Sequence, residues 1–147
     1  MTLRLSSGQV FLFLDTTDRR EITVGLVGEG RLESKIEEQG EFEQSEKLLP
    51  LIDKILKKNK IMLDDLSGII VVSGPGGFTS VRIGAVTANT LGFVLGIPVA
   101  GVPKLDGATL QLLVQDGLKK LKEVKVGEMV LPFYGAEPNI TKPKNSN

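Results

Sequence analysis

The chain has 147 residues, enough for one ordinary domain with its own core, so it needs no staple to fold. Its 18 Lys plus Arg balance 18 Asp plus Glu, so it lacks the basic field by which a dedicated nucleic-acid binder holds phosphates. It has neither Cys nor His, which excludes disulfides, thiolate nucleophiles, Ser-His-Asp chemistry and histidine-ligated metals, and leaves carboxylates, Lys and hydroxyls for any catalysis.

Val10 to Leu14 is a continuous apolar run, too short for a signal-peptide core, and Asp15-Thr16-Thr17 stops it. It predicts a buried central strand that ends in a turn. Ile22 to Val27 alternates with period two, Gly28-Glu29-Gly30 marks a turn, and Arg31 to Ile36 returns as a more exposed strand. An antiparallel meander is therefore expected. From Gln44 to Lys58 the period changes: Leu48, Leu49, Leu51, Ile52, Ile55 and Leu56 form a helical stripe, interrupted only by Pro50.

Ile69 to Val72 is a β-branched run that delivers the chain into Ser73-Gly74-Pro75-Gly76-Gly77, a turn of unusual backbone freedom. A helix is predicted over 79–95, capped by Thr79 or Ser80 and closed by Gly96 and Pro98. Val99 to Val102 reads as a short strand, Lys104 to Leu121 as a further helix, and Met129 to Tyr134 as a final strand. The polar segment from Glu137 to Asn147 reads as a loose tail. Three strands followed by βαβ-type units imply a mixed sheet with helices on its faces. No segment offers the ~18 apolar residues that span a bilayer, so a soluble, cytoplasmic chain without a membrane partner is expected.

Two chemical readings stay open. The glycine-rich turn before a helix can present backbone N–H groups to an anion, but it lacks the Lys of a P-loop and the spacing of a dinucleotide fingerprint, so a plain structural turn competes. Asp15 at a strand end can hold a divalent cation, which makes a small actin-like phosphotransferase or ribonuclease-H-like nuclease the rival enzymatic reading. The helix over 79–95 carries one charge, Arg82, and is apolar nearly all round, which suggests burial on more than one side. Gly84, Ala88 and Gly92 make a stripe of small residues that suits either a close partner helix or the chain's own sheet. Two Lys-rich elements, around Lys54 to Lys60 and Lys119 to Lys125, read as solvated faces, with tRNA contact as the lesser idea.

Three stretches, Phe11-Leu12-Phe13-Leu14-Asp15-Thr16-Thr17, Gln44-Ser45-Glu46-Lys47-Leu48-Leu49-Pro50-Leu51-Ile52 and Ser73-Gly74-Pro75-Gly76-Gly77-Phe78-Thr79-Ser80-Val81-Arg82-Ile83-Gly84, resemble the TsaB/YeaZ family. Its members are the non-catalytic paralogues of the threonylcarbamoyl transferase TsaD, and the match runs from about residue 10 to 110. The resemblance implies the N-terminal lobe of an actin-like, ribonuclease-H-like α/β fold over 1–103, with a five-stranded mixed sheet. It leaves 104–147 as a reduced remnant of a second lobe that is largely missing. It further implies no catalytic residue, no cofactor and no metal.

As partner it implies a TsaD-like transferase in a heterodimer, or a second copy in a homodimer, through the helices at 44–58 and 79–95. TsaE is a candidate further partner whose involvement the sequence leaves open, and tRNA contact is expected only indirectly. The implied interface residues are Ser45, Leu48, Leu49, Ile52, Val81, Arg82, Ala85, Ala88 and Asn89. Asp15, Thr16, Thr17, Gly76 and Gly77 form a vestigial phosphate-binding set. The chain departs from the family in having Gln44 where members carry His, and Gly77 and Ser80 where they carry Ser and Gly.

Overall fold

The computed structural model describes residues 8–40 and 44–134. The apolar run becomes β1 (Val10–Asp15), the alternating segment β2 (Glu21–Gly28) and the exposed return β3 (Arg31–Gln39). These three form the expected antiparallel meander, with Leu12 opposite Leu26 and Val24 opposite Ile36. Glu29 and Gly30 join β2 to β3 with φ of 52° and 80°, two positive values that match the right-handed twist of the hairpin.

Helix α1 (Gln44–Lys58) then leads to β4 (Leu66–Gly74), α2 (Phe78–Leu95), β5 (Val99–Pro103) and α3 (Leu110–Leu121). The sheet order is β3-β2-β1-β4-β5, with β1, β4 and β5 mutually parallel. The fold is therefore the mixed five-stranded α/β sheet read from the sequence.

Alternation along the strands divides the core in two. Leu12, Leu14, Val24, Leu26, Ile69 and Val71 face α1 and α2, and there they meet Leu48, Ile52, Ile55 and Ala88. Phe13, Ile70, Val72, Ala100 and Val102 face the other way and are covered by Leu113, Val114 and Leu121 of α3. Helix α3 thus packs on the same sheet as the elements before it.

Four expectations need correction. Helix α2 begins one residue early, so its N-cap is Gly77 without a side-chain cap, and neither Thr79 nor Ser80 caps it. Helix α3 starts only after Thr109, whose side chain accepts from the Leu112 N–H at 3.2 Å; Gly107 at φ 81° turns the chain before that. The predicted strand over 129–134 is not one. The Val130 N–H and C=O pair with the Asn89 amide at 2.9 and 3.0 Å, and the Phe133 N–H donates to the Ser73 carbonyl at 2.8 Å, so its backbone bonds go to a side chain and one strand end rather than to a ladder. It is a strap that crosses α2 and the end of β4. Finally, α2 is long and apolar enough to cross a membrane by length and composition, contrary to the sequence reading, although one face of it is packed on β4. The predicted loose tail, 137–147, lies outside the described residues.

Candidate functional site

Because β1, β4 and β5 are parallel, their carboxyl ends lie side by side, the usual place for a site in such sheets. Asp15-Thr16-Thr17, the turn from Gly74 to Gly77 and Lys104 meet there. The Asp15 side chain is only 7% exposed. Its Oδ1 accepts from the Thr17 N–H at 2.9 Å and from the Thr17 hydroxyl at 2.7 Å, and its Oδ2 accepts from Lys104 Nζ at 2.9 Å. Both carboxylate oxygens are thus engaged by the chain itself.

The glycine-rich turn is similarly turned inward. The Gly77 N–H donates to the Thr17 carbonyl at 3.2 Å, and a Cβ on Gly76 would run into that same carbonyl. Only Gly allows so close an approach of two backbones. The Thr16 hydroxyl donates to the Ser80 carbonyl at 2.6 Å, tying β1 to the first turn of α2. The five residues of the phosphate-binding set therefore come together, but Asp15, Thr17 and Gly77 bond one another and Thr16 bonds Ser80. A cavity of about 180 Å³ beside Asp15 and Lys104 is bordered by Asp18, Glu21 and Glu37, a lining that repels phosphate. Among the described residues, no group of three acidic side chains is placed to hold a metal ion.

The second region is the outer surface of α1 and α2. Of the expected interface residues, Leu48, Ile52, Val81, Ala85 and Ala88 are buried in the chain's own core. Gly84 sits over Thr16 and Val71, and Gly92 over Val99, so the stripe of small residues seats α2 on its own sheet. Asn89 is half-buried and holds the strap at Val130. Ser45 and Arg82 face solvent, and Leu49 is 55% exposed.

What α2 does present outward are large apolar groups: Phe78, Val86 (61% exposed), Phe93 (83%) and Val94. Between the helices lies a groove of about 300 Å³, lined by Ser45, Thr79, Arg82, Ile83, Val86 and Thr87. The Arg82 guanidinium lies 4.8 Å from the centre of the Phe78 ring, and Phe78 stacks on Tyr134 of the strap at 5.0 Å. This stack holds a cation at the rim of the groove.

The sequence reading missed two groups. Lys104 follows the strand that ends beside β1 and β4, and this parallel placement is the signal that locates it. Gln44 stands four residues before Leu48, on the buried stripe, where a polar side chain needs partners. It finds them in the carbonyls of Asp18 at 2.9 Å, Glu21 at 3.2 Å and Thr16 at 3.4 Å.

Residues 39–122 match the family described as TsaD, tRNA N6-adenosine threonylcarbamoyltransferase. The tRNA threonylcarbamoyladenosine biosynthesis protein TsaB of Buchnera aphidicola is 37% identical over 84 residues, which is 57% of this chain and 38% of that protein. The TsaB of Bacillus subtilis is 39% identical over 91 residues, 61% of this chain and 40% of that protein. The tRNA N6-adenosine threonylcarbamoyltransferase of Nitrosospira multiformis is 36% identical over 95 residues, 58% of this chain and 27% of its own length. The chain therefore spans well under half of these relatives.

Among solved structures, YeaZ from Pseudomonas aeruginosa superposes with a TM-score of 0.61 at 32% identity, over 66% of this chain and 45% of that one. Thermus thermophilus RuvC superposes at 0.50 with 11% identity, covering 80% of this chain and 98% of that one, a likeness of fold alone.

Proposed function

The chain belongs to the TsaD (tRNA N6-adenosine threonylcarbamoyltransferase) family and resembles its TsaB/YeaZ members, and from that premise we propose that it is a non-catalytic TsaB-like subunit. It binds a TsaD-type transferase and supports threonylcarbamoyladenosine formation on tRNA. The observation that carries this reading is the outer surface of α1 and α2: a groove flanked by exposed Leu49, Phe78 and Val86, with Arg82 stacked at its rim. Large apolar groups on one side of a packed helix suit the centre of an interface, and an Arg beside them suits a bidentate bond to a partner carboxylate.

The strand-end cluster supports the non-catalytic half of the proposal. A carboxylate that accepts twice from Thr17 and once from Lys104 is already engaged in holding the chain together, which favours a structural over a catalytic role for Asp15. The lobe over 1–103 carries both interface helices, with α3 and the strap lying against it. The transferase is the principal partner, TsaE a further component of the assembly, and tRNA reaches the chain through the complex, in keeping with zero net charge.

The test is the mass in solution of the purified chain, alone and mixed with the TsaD of its own source. A one-to-one complex is expected, and Arg82→Glu and Val86→Glu abolish it while leaving the unfolding midpoint in place. Ala88→Glu does not serve, because Ala88 is fully buried and its loss of binding would report unfolding. A homodimer abolished by the same two substitutions moves the partner to a second copy. A monomer indifferent to TsaD overturns the reading.

A further inference from the structure

The groove between α1 and α2 opens at their amino-terminal ends, and neither helix makes that end alone. Four tethers converge on the loop between β1 and β2. Gln44, the first residue of α1 in the described structure, holds the carbonyls of Thr16, Asp18 and Glu21. Gly77, the N-cap of α2, donates to the Thr17 carbonyl. The Thr16 hydroxyl reaches the Ser80 carbonyl one turn further on.

Lys104 supplies the fourth from the exit of β5, and it does so across 89 residues of sequence. Its ammonium bonds Asp15 Oδ2 while Asp15 Oδ1 fixes the N–H and hydroxyl of Thr17, so the carbonyl that receives Gly77 is held by the same residue.

We propose that Lys104 and Gln44 are positioning residues for the partner groove: by locking the β1–β2 loop they fix the starts of α1 and α2 relative to each other, without touching the partner. This rests on the interface reading above. Two observations point to a lock rather than to ordinary packing. First, Ser45 and Thr79, both on the groove wall, immediately follow or nearly follow the tethered residues Gln44 and Gly77, so any movement of the tethers is passed directly to the wall.

Second, the residues of the lock that tie the loop down are a polar network withdrawn from water. Gln44, Asp15, Thr16 and Thr17 are all buried, and each buried polar group satisfies another member of the cluster. Such a network has one low-energy arrangement, because a shift of one member leaves another without a partner. Apolar contacts alone would let the two helix starts slide.

The absence of Cys allows paired spin labels to be placed at will. Labels at Ser45→Cys and Thr79→Cys report the distance between the helix starts, and labels at Lys58→Cys and Val94→Cys report the far ends. In the full-length chain, Lys104→Met and Gln44→Met are expected to broaden the first distance distribution and leave the second narrow, and to weaken the complex with TsaD at least tenfold. Lys104→Arg, which keeps the cation, is expected to retain both.

A first distribution that stays narrow in both variants overturns the lock. A distribution that broadens while the affinity is unchanged overturns its role in positioning. If Lys104→Met fails to fold, Gln44→Met, which removes only the amide, decides alone. Should Arg82→Glu and Val86→Glu leave the complex intact, the interface reading fails by itself, and the distance measurement still judges the lock.

Discussion

Helix α2 has two faces that differ in residue size more than in polarity. Inward it presents Ser80, Val81, Gly84, Ala85, Ala88 and Gly92, all buried. Outward it presents Phe78, Val86, Phe93 and Val94, all well exposed. A helix is usually amphipathic because its large apolar groups go to the core and its charges to water. Here the order is partly inverted: small residues bring the helix backbone close to the sheet, Ile83, Leu91 and Leu95 pack at the edge of the core, and Phe78, Val86, Phe93 and Val94 are left outside. An apolar residue in water is unremarkable singly, but a row of them on the face opposite the core needs a cover. The difference teaches that average hydrophobicity assigns neither face; the recurrence of small residues at Gly84, Ala88 and Gly92 marks where the helix sits close to the sheet.

Substitutions on the inner face are expected to cost most. Ala88→Glu places a charge where exposure is 0%, and it should lower the unfolding free energy by about 4 kcal/mol or more, read as a collapse of the urea midpoint. Gly84→Val is next. A Cβ there meets the Thr16 hydroxyl at 2.7 Å and Val71 at 3.4 Å, so α2 must lift from the sheet or Thr16 must give up its bond to Ser80. A loss of about 1–3 kcal/mol is expected by thermal or urea unfolding. If Gly84→Val proved neutral, the close seating of α2 would not be what holds it.

The sequence made the inner architecture legible because periodicity reports burial. The five strands of the sheet, the α1 stripe and the closing Gly96, at φ 68°, follow from local rules and recur in the structure, with strand ends extended by up to three residues. The strap was misread as a strand because Val130 and Leu131 have strand-like composition. Whether such a segment joins a ladder depends on its backbone running along a strand edge, and composition does not contain that. Which face of α2 points outward was also hidden, since Val81 and Val86 are the same residue type in the same helix. Only the angle between them separates 0% from 61% exposure. The strand-end cluster was half legible: Asp15, Thr17 and Gly76 stood out, but the ion pair joins residues 89 apart and needs the parallel topology to be foreseen. Gln44 was visible as a departure from the family pattern, without a role until its three carbonyl partners were in place.

Smaller effects sharpen the outer face. Tyr134→Ala removes the ring that stacks on Phe78, and through Phe78 it frees the Arg82 guanidinium. About 0.5–1.5 kcal/mol is expected from such a pair, at the lower end here because Tyr134 is itself 43% exposed. The sharper readout is Arg82: its side-chain order should fall, and TsaD binding should weaken less than in Arg82→Glu.

The smallest expected effect on stability belongs to Phe93→Ser. The side chain is 83% exposed, so its truncation forfeits little burial, and the unfolding midpoint should move by no more than about 0.5 kcal/mol in equivalent free energy. Serine and phenylalanine have similar helix propensities, so the small remaining burial of the ring sets the sign as slightly destabilising. A large loss would mean that Phe93 is already covered in the isolated chain, and the outer face would then be a second core rather than a surface awaiting a partner. Solubility supplies the complementary readout. An apolar ring held in water promotes association, so Phe93→Ser should raise the concentration at which the isolated chain precipitates, while Ala88→Glu should lower it through unfolding. Opposite signs from two substitutions on one helix are what a face built for burial and a face left open require.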